Sequence, residues 1–397
     1  RILISGAGIA GQALAYWLAH HGFRPTVVEQ APRLRTGGQG VDIRGQAIEV
    51  AERMGIMARV RAAAADVAGM RFVRADGHDI ARVDMEGIKG KHDSGEVEIM
   101  RGDLVRILHA ISAGTAEYLF GNSIRALDQD DDAVTVTFAH GAARRFDLVI
   151  GADGLHSTVR RLASGPESKF VRHMDHYFAF GNADAALGPD RSVTVFNTPG
   201  RMAGIYRSGN HPQAKAYFMF RSPQRDIDLR DQEAARALLS AEFGGEKGWH
   251  VTELLAGVLA DPDAYVDALG QVRMDSWSAG RVAMVGDAAY CASPVSGAGA
   301  EIALIGAYRL AGELAVAAGD HRIGFHRYEQ AHRPLVARKQ QVSPNLRLMV
   351  PKSRLGMAVR NTITRLPLES MAGIERIISP ETTERLPGYG SAADAPV

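Results

Sequence analysis

Three glycines near the amino terminus have the spacing of a turn that binds the phosphates of a dinucleotide. Gly6, Gly8 and Gly11 follow the apolar run 2–4 and precede apolar residues that recur at helical spacing. The first glycine allows a sharp turn, the second lets backbone approach a pyrophosphate, and the third lets helix and strand pack closely. Glu29 ends a second predicted strand, where its carboxylate can bind ribose hydroxyls. The chain is therefore predicted to bind a dinucleotide.

A second glycine-bearing turn, late in the chain, favours a flavin as that dinucleotide. Asp287 follows Gly286 at the end of an apolar strand, where its carboxylate can bind a hydroxyl of a flexible ribityl chain. Gly297 and Gly299 let the backbone pass against a flat ring. A helix predicted from about 299 to 318 points its N-terminus at that ring, which suits the negative charge of a reduced flavin.

A third turn, residues 151–157, also follows a buried strand. Asp153 and Gly154 can form a tight turn, and Ser157 can cap the helix that follows. Each piece alone also suits an ordinary loop. Chance occurrence of all three turns in this order within one sequence is much rarer than chance occurrence of any one of them.

Hydrophobic periodicity predicts the elements that position these turns. Short apolar runs at 2–4, 26–28, 148–150 and 282–285 predict buried strands. Residues 171–222 instead alternate apolar and polar side chains between turn signals, which predicts an antiparallel sheet. Because the nucleotide-binding pattern occurs both before and after this region, we predict a discontinuous cofactor domain wrapped around a substrate domain.

Composition excludes several functional classes. The 397 residues carry a formal net charge of +1, so no basic excess points to nucleic acid. Cys291 is the only cysteine, which excludes disulfides within the chain and a multi-cysteine metal site, and suits a reducing cytoplasm. No run of 18 apolar residues suggests a membrane span, and no signal peptide is recognised at the start.

The three turns resemble the signatures of the class A flavoprotein monooxygenases, the family of para-hydroxybenzoate hydroxylase. GAGIAG at 6–11, GADGLHSTVR at 151–160 and GDAAYCASPVSGAGAE at 286–301 match those signatures, and the resemblance covers nearly the whole chain. Within that family, the chain most resembles the compact enzymes that tailor antibiotics or inactivate tetracyclines. The resemblance implies an α/β fold: a Rossmann-like FAD-binding domain of the GR2 type, an inserted antiparallel substrate sheet and a helical C-terminal tail.

The predicted domains follow from this organisation. The FAD-binding domain comprises residues 1–70, 98–170 and 270–323. The substrate-binding domain comprises residues 71–97 and 171–269. Residues 324–397 form a C-terminal helical segment.

The resemblance implies that FAD is the bound cofactor and assigns its contacts. Glu29 is implied to bind the adenosine ribose, Asp287 the ribityl or pyrophosphate region, and Arg101 the phosphate–ribitol region. Arg44, in the loop 37–44 beside the isoalloxazine, is a candidate flavin or nicotinamide contact, with a surface salt bridge as the alternative. The predicted cofactor-binding residues are Gly6, Gly8, Ala10, Gly11, Glu29, Gln30, Arg44, Arg101, Asp153, Gly154, Gly286, Asp287, Pro294, Gly297, Ala298 and Gly299.

Some of these positions have further implications. Asp153 and Gly154 are implied to help hold FAD and to take part in NADPH use. Tyr290, Ala298 and Glu301 depart from the family, in which many members carry His, Gln and Asn. These departures leave FAD binding intact but alter the contacts expected at the flavin ring.

The resemblance also implies the reaction. NADPH or NADH reduces FAD, O2 forms a C4a-hydroperoxide, and the distal oxygen passes to an electron-rich carbon of an aromatic or polyketide-like molecule. The flavin carries this chemistry, so we expect neither a protein nucleophile nor a metal. The histidines considered as general bases, each expected to be structural or solvated, are His140, His156, His173, His176 and His211.

The substrate is expected between the antiparallel sheet and the flavin. Phe180, Tyr206, Tyr217 and Phe218 are the candidate contacts, although alternation along a strand places only half of such residues on one side. Two alternatives stay open: an FAD-dependent reductase or dehydrogenase of the same fold, and a non-catalytic FAD- or ligand-binding pathway protein. A monomer or weak dimer in the cytoplasm is expected.

Overall fold

The structure, a computed structural model, describes residues 1–35, 37–84, 95–341, 343–363 and 385–390. Its strands are β1 Ile2–Ser5, β2 Pro25–Glu29, β3 Gly40–Ile43, β4 Gly69–Val73, β5 Asp79–Asp84, β6 Val97–Met100, β7 Glu117–Phe120, β8 Ile124–Gln129, β9 Val134–Phe138, β10 Arg144–Phe146, β11 Leu148–Gly151, β12 Val171–Ala183, β13 Ser192–Thr198, β14 Arg201–Arg207, β15 Ala214–Arg221, β16 Tyr265–Val272, β17 Ser278–Ala279 and β18 Val282–Met284. Its α-helices are Ile9–His20, Gln46–Arg53, Met57–Ala62, Arg101–Ser112, Thr158–Ser164, Gln232–Phe243, Val251–Ala260, Asp287–Tyr290, Gly299–Val316, His321–Lys339, Ser343–Met349 and Arg354–Ile363.

A six-stranded sheet with the order β17-β18-β11-β1-β2-β7 carries the three glycine-bearing turns. All its pairings are parallel except that of β17 with β18. β1 and β11 are buried along their whole length, as expected for parallel strands that are covered on both faces. Since parallel strands end at the same edge, the turns that follow β1, β11 and β18 emerge side by side.

A seven-stranded sheet with the order β16-β12-β15-β14-β13-β4-β5 forms the second half of the molecule. Its pairings are antiparallel apart from the parallel pair β13 and β4. The chain therefore enters this sheet at β4 and β5, returns to the first sheet for β7 and β11, and re-enters the second sheet at β12. It leaves again after β16 to complete the first sheet with β17 and β18.

Two small sheets complete the strands that the structure describes. β10, β9 and β8 form a three-stranded antiparallel sheet. β3 and β6 pair antiparallel, from Gly40 opposite Met100 to Ile43 opposite Val97. This second pair attaches the loop predicted to lie beside the flavin to the start of the Arg101–Ser112 helix.

The helices predicted after the early turn, after Ser157 and from about residue 299 are present. Apolar residues also recur at helical spacing along 45–61, but this stretch forms two helices, Gln46–Arg53 and Met57–Ala62, rather than one. Gly55 between them has a φ of +69°, a left-handed conformation that glycine adopts at little cost. In the part of the chain that the structure describes, no helix is both long and apolar enough to cross a membrane.

Candidate functional site

The three glycine-bearing turns form one cleft at the edge of the six-stranded sheet. A Cβ atom placed on Gly286 would lie 2.8 Å from the Cβ of Ala10, so the late turn touches the early one. A Cβ atom placed on Gly6 would lie 2.5 Å from the carbonyl oxygen of Ala152, so the middle turn touches it as well. Only glycine fits at Gly6 and Gly286, and segments almost 300 residues apart in sequence meet there.

The early turn is built around two glycines and one carboxylate. Gly6 has a φ of +104°, and a Cβ on Gly11 would lie 1.9 Å from the carbonyl oxygen of Gly6. Glu29, at the end of β2, accepts hydrogen bonds of 2.9 Å from the N–H groups of Ala7 and Ala31. The carboxylate is therefore fixed beside the phosphate-binding turn, where a ribose hydroxyl can reach it.

Arg101 lies between the early and late turns. It begins the Arg101–Ser112 helix, and its side chain lies 3.1 Å from a Cβ placed on Gly38 and 3.8 Å from one on Gly8. Burial lowers the pKa of its guanidinium, and the carboxylates of Asp287 and Glu29 partly restore it. A half-buried cation that faces the phosphate-binding turn can pair with a pyrophosphate.

The middle turn is held by Asp153, whose side chain binds protein groups on both sides. Its carboxylate accepts hydrogen bonds from the hydroxyls of Ser5 and Ser157 and from the Val159 N–H. Burial raises the pKa of Asp153, and the hydrogen bond from Ser157 opposes that rise. Ser157 also caps the Thr158–Ser164 helix by accepting from the Arg160 N–H, as predicted.

Arg160 links the middle turn to the late turn. Its side chain is fully buried, and it donates to the carbonyl of Ala288 at 2.9 Å and to that of Leu155 at 2.6 Å. Backbone carbonyls from two separate turns are thus tied to one planar cation. This arrangement fixes the distance between the turns that follow β11 and β18.

The late turn presents polar groups and a tight backbone to the cleft. The Asp287 side chain is exposed in the cleft. Desolvation by the surrounding protein raises the pKa of its carboxyl group, and the Cys291 thiol and Arg101 oppose that rise. Ser293 has a φ of +79° and buries a hydroxyl with no hydrogen-bond partner among the described residues. Gly297 is left-handed, and a Cβ there would lie 3.2 Å from a carboxylate oxygen of Asp42.

A cluster of three charged side chains braces this late turn. Arg44 donates to the carboxylate of Glu301 at 3.1 Å and to the carbonyl of Ser296 at 3.1 Å. Lys339 pairs with the same carboxylate at 2.7 Å. Glu301 is almost fully buried, so two cations compensate one buried charge. Arg44 thus forms a salt bridge. This salt bridge lies against the late turn and holds the loop predicted to lie beside the flavin, so it is not an ordinary surface ion pair.

Aromatic rings cover one face of the seven-stranded sheet. Tyr265, Phe180 and Tyr217 are opposite one another on β16, β12 and β15. Phe180 lies 5.3 Å from Tyr265 and 6.3 Å from Tyr217 between ring centroids, and Phe178 lies 5.6 Å from Tyr265. We call these four residues the aromatic wall. Val295 of the late turn packs in the same apolar cluster as Phe178, so this face adjoins the cleft.

The other two candidate substrate contacts lie elsewhere. Phe218 faces the opposite side of the sheet and packs against Phe243 with ring centroids 4.8 Å apart, which removes it from the candidates that face the cleft. Tyr206 is buried and donates to the carboxylate of Glu98 at 2.9 Å. Burial raises the pKa of Tyr206, and the negative charge of Glu98 adds to the effect. Its ring still lies 6.3 Å from that of Tyr217, at the edge of the aromatic wall.

The C-terminal part of the described chain covers the aromatic face. Leu346 and Val350 belong to the apolar cluster that contains Phe178. The backbone N–H of Gly200 donates to the carbonyl of Pro351 at 2.9 Å, and Asn197 donates to the carbonyl of Met349 at 2.9 Å. These contacts hold the Ser343–Met349 helix against the sheet and shield it from water.

Comparison with known proteins settles the family. The profile of the family described as FAD binding domain matches residues 1–341. The chain belongs to this FAD-binding family. A flavin-dependent monooxygenase of Legionella longbeachae is 38% identical over 341 residues, which cover 86% of this chain and 87% of that protein. An uncharacterized protein of Mycobacterium tuberculosis, Rv1260, is 44% identical over 348 residues, which cover 87% of this chain and 93% of that protein.

Solved structures of the FAD-binding family agree with this assignment. The crystal structure of the tetracycline destructase Tet(51) matches with a TM-score of 0.85 at 35% identity, over 98% of this chain and 99% of that chain. The predicted α/β fold, FAD as cofactor and the function of a flavin-dependent monooxygenase are therefore confirmed.

The cleft fits FAD by its own geometry. Gly6, Gly11 and Gly286 leave no room for side chains where the three turns meet, as close packing around a dinucleotide requires. The unpartnered hydroxyl of Ser293 and the exposed carboxylate of Asp287 offer hydrogen-bonding groups to a bound polyol. Gln30 follows Glu29 at the end of β2. Six other predicted contacts belong to the same three turns: Gly8, Ala10, Gly154, Pro294, Ala298 and Gly299.

Sequence reasoning missed several residues that the fold brings to the site. Tyr265 and Phe178 complete the aromatic wall, and Lys339 pairs with Glu301. Residues 265–272 do not alternate regularly between apolar and polar side chains, so spacing does not assign the face of Tyr265. The position of Lys339 had no local signal either, because it depends on how a helix 38 residues away in sequence returns to the late turn.

Proposed function

We propose that this monooxygenase uses NADPH or NADH and O2 to hydroxylate a bulky, planar aromatic or polyketide-like molecule. The observation that carries the proposal is the aromatic wall, four ring-bearing side chains on the sheet face that adjoins the late turn. Flat rings stack favourably on aromatic side chains at centroid separations of 4.5–7 Å, so such a wall suits a planar substrate. The likeness to a tetracycline destructase over nearly the whole chain supports the same class.

The residues of this chain would each contribute to positioning. FAD, reduced by the nicotinamide, supplies the activated oxygen when it is bound. Arg101 and the N-terminus of the Ile9–His20 helix would hold its phosphates, and Asp287 its ribityl chain. Arg44, Glu301 and Lys339 would keep the Gly297–Gly299 backbone in place beside the ring.

Exclusion of water would be the second contribution of the protein. A reactive oxygen donor is lost to side reactions where water has access, so a dry pocket favours transfer to substrate. Phe178 and Phe180 form the sheet side of that pocket, and Leu346 and Val350 cover it. Because the flavin carries the chemistry, we expect no metal in the reaction.

A substrate screen on the FAD-loaded protein tests this proposal. Planar phenols, naphthols and tetracycline would be scored by NADPH oxidation, O2 uptake and product mass. We expect substrate-dependent oxidation of NADPH and a product that has gained one oxygen atom. A product that has gained hydrogen instead would identify a reductase. NADPH oxidation that no compound stimulates would favour a non-catalytic binding protein.

Three further statements belong to the same proposal. The FAD-binding domain would comprise 1–70, 98–170 and 270–323, with 71–97 and 171–269 as the substrate domain and 324–397 as a helical tail. Residues 85–94, 364–384 and 391–397 of these ranges lie outside the described residues. The strand pairing of β4 with β13 supports the assignment of the early segment to the substrate domain. The protein would act in the cytoplasm as a monomer or weak dimer, which sedimentation of the FAD-loaded protein would test.

A further inference from the structure

A chain of four side chains runs from the aromatic wall to the protein surface. The phenol of Tyr265 donates to the carboxylate of Asp267. The Nε2 of His156 lies 3.0 Å from the same carboxylate, and its Nδ1 lies 3.0 Å from a carboxylate oxygen of Glu167. Tyr265 and Asp267 belong to β16, whereas His156 belongs to the middle cofactor turn. The chain therefore connects the substrate side, the FAD-binding turn and solvent.

The exposure of these groups changes along the chain. Asp267 is only 3% exposed and is the buried centre. Tyr265 is 38% exposed and lies on the sheet face that carries Phe178 and Phe180. At the other end the His156 and Glu167 side chains are 39% and 40% exposed. A buried carboxylate thus joins one group on the pocket side to one group that water reaches directly.

The charge states suit a proton donor at the outer end. Hydrogen bonds to Asp267 and Glu167 raise the pKa of His156 to about 10, so its ring is protonated at neutral pH. Asp228, Arg160 and Arg230 are the other charged groups near this end. Burial and the charge of Asp267 raise the pKa of Tyr265, with smaller contributions from Cys291 and Asp287, so the phenol keeps its proton.

A purely structural function explains this arrangement less well. Removing a charged pair from water costs free energy that apolar residues of similar volume would not require. Other hydrogen bonds already join β16 to the cofactor side of the molecule, because the Val272 N–H and the Gln271 side chain donate to the carbonyls of Cys291 and Ala292. A buried carboxylate that contacts both a phenol and a partly exposed imidazolium does provide what proton transfer requires.

We propose that Tyr265, Asp267 and His156 deliver protons from solvent to the substrate pocket. This inference rests on the proposed function. The Tyr265 hydroxyl turns from Asp267 toward the pocket and gives its phenolic proton to an oxygen or nitrogen acceptor there, and the phenolate oxygen then takes a proton from Asp267. Asp267 takes its proton from the Nε2 of His156, and solvent returns a proton to the imidazole. The net result is one proton moved inward with no electron transferred. Tyr265 is the group that meets the reacting molecules, and Asp267 and His156 are positioning and transfer residues.

The first test measures the charge of His156 in the FAD-loaded protein. NMR titration of isotope-labelled histidine should show one imidazole that stays protonated well above pH 8, and H156Q should lack that signal. Asp267→Asn removes the main cause of the raised pKa, so the signal should titrate closer to the ordinary value near 6.5. A wild-type protein in which no histidine is protonated above pH 8 would overturn the proposal.

The second test measures proton transfer during turnover with a compound found in the screen. We expect H156Q and Y265F to slow oxygen transfer by about a hundredfold, the lower end of the range for general acid–base catalysis. Their solvent deuterium isotope effects should differ from that of the wild type. Y265F removes only one hydroxyl, so it keeps the test valid where H156Q folds poorly. His140→Gln, at an exposed histidine of the connection after β9, is the matched control.

The outcomes separate the inference from the proposed function. If the wild type turned over normally and H156Q and Y265F kept its pH profile and isotope effect, the proposed proton transfer would be wrong. The proposed function would not be affected by that result. A wild-type protein that oxidises no NADPH with any compound would overturn the proposed function and the proton chain with it.

Discussion

The FAD cleft and the aromatic face are built by different means. In the cleft, glycines and backbone carbonyls meet at distances that no side chain could occupy, as at Gly6, Gly11 and Gly286. On the aromatic face, shape comes from large side chains such as Phe178 and Phe180, whose side of the sheet depends on strand register. The first region is therefore specified by where side chains are absent, and the second by which way they point.

The largest effect is expected where a side chain is added to the cleft. In Gly11→Ala the new Cβ would lie 1.9 Å from the carbonyl oxygen of Gly6, so the backbone of the turn has to move. We expect loss of bound FAD and a fall in the free energy of unfolding on the order of 5 kcal/mol. Flavin absorbance after purification and urea denaturation measure the two effects.

Gly114→Ala is the matched control for this prediction. Gly114 is exposed, lies outside the cleft and has no atom within 4 Å of its Cβ position, so the same chemical change meets open space. The control should retain FAD and wild-type stability within about 0.5 kcal/mol. If both variants retained FAD equally, close packing of the turn would not be what specifies the cleft.

A smaller effect is expected on the sheet, where two phenylalanines on opposite faces can be compared. Phe218→Ala leaves a cavity against Phe243 and should lower the free energy of unfolding by about 3–4 kcal/mol. Phe180→Ala removes a partly exposed ring of the aromatic wall, so it should cost less stability and instead raise the KM for substrate. Urea denaturation and steady-state kinetics together measure the difference. Equal loss of stability with unchanged KM in both variants would contradict the assignment of faces.

The smallest effect concerns a side chain that supports the cleft from outside. Ser157→Ala removes the cap of the Thr158–Ser164 helix and one hydrogen bond to Asp153. We expect a loss of about 1 kcal/mol of stability with FAD still bound, because the glycine contacts remain. Thermal unfolding with and without added FAD measures it. Complete loss of FAD from this variant would show that side chains specify the cleft as strongly as backbone does.

The same difference decides what the sequence could predict. The glycine turns, Glu29 and Asp287 follow from local spacing, because each requirement is met within a few residues of the chain. The inward face of β12 does not follow from spacing, since a register shift between His173 and Tyr177 changes the pairing with β16. Phe218 and Phe180 are equally plausible in sequence, and only the packed sheet separates them. The partners of Glu301 come from Arg44 and Lys339, which no local pattern relates to it.

The order in which strands join the two large sheets has a consequence for dissection of the molecule. The polypeptide passes from the first sheet to the second and back twice, so no single cut separates the strands of one large sheet from those of the other. A shortened gene that encodes only residues 171–269 would lack β4 and β5, and its β13 would present an unpaired edge that invites aggregation. Transplanting a new substrate sheet onto this cofactor frame therefore requires exchange of two separate stretches at once.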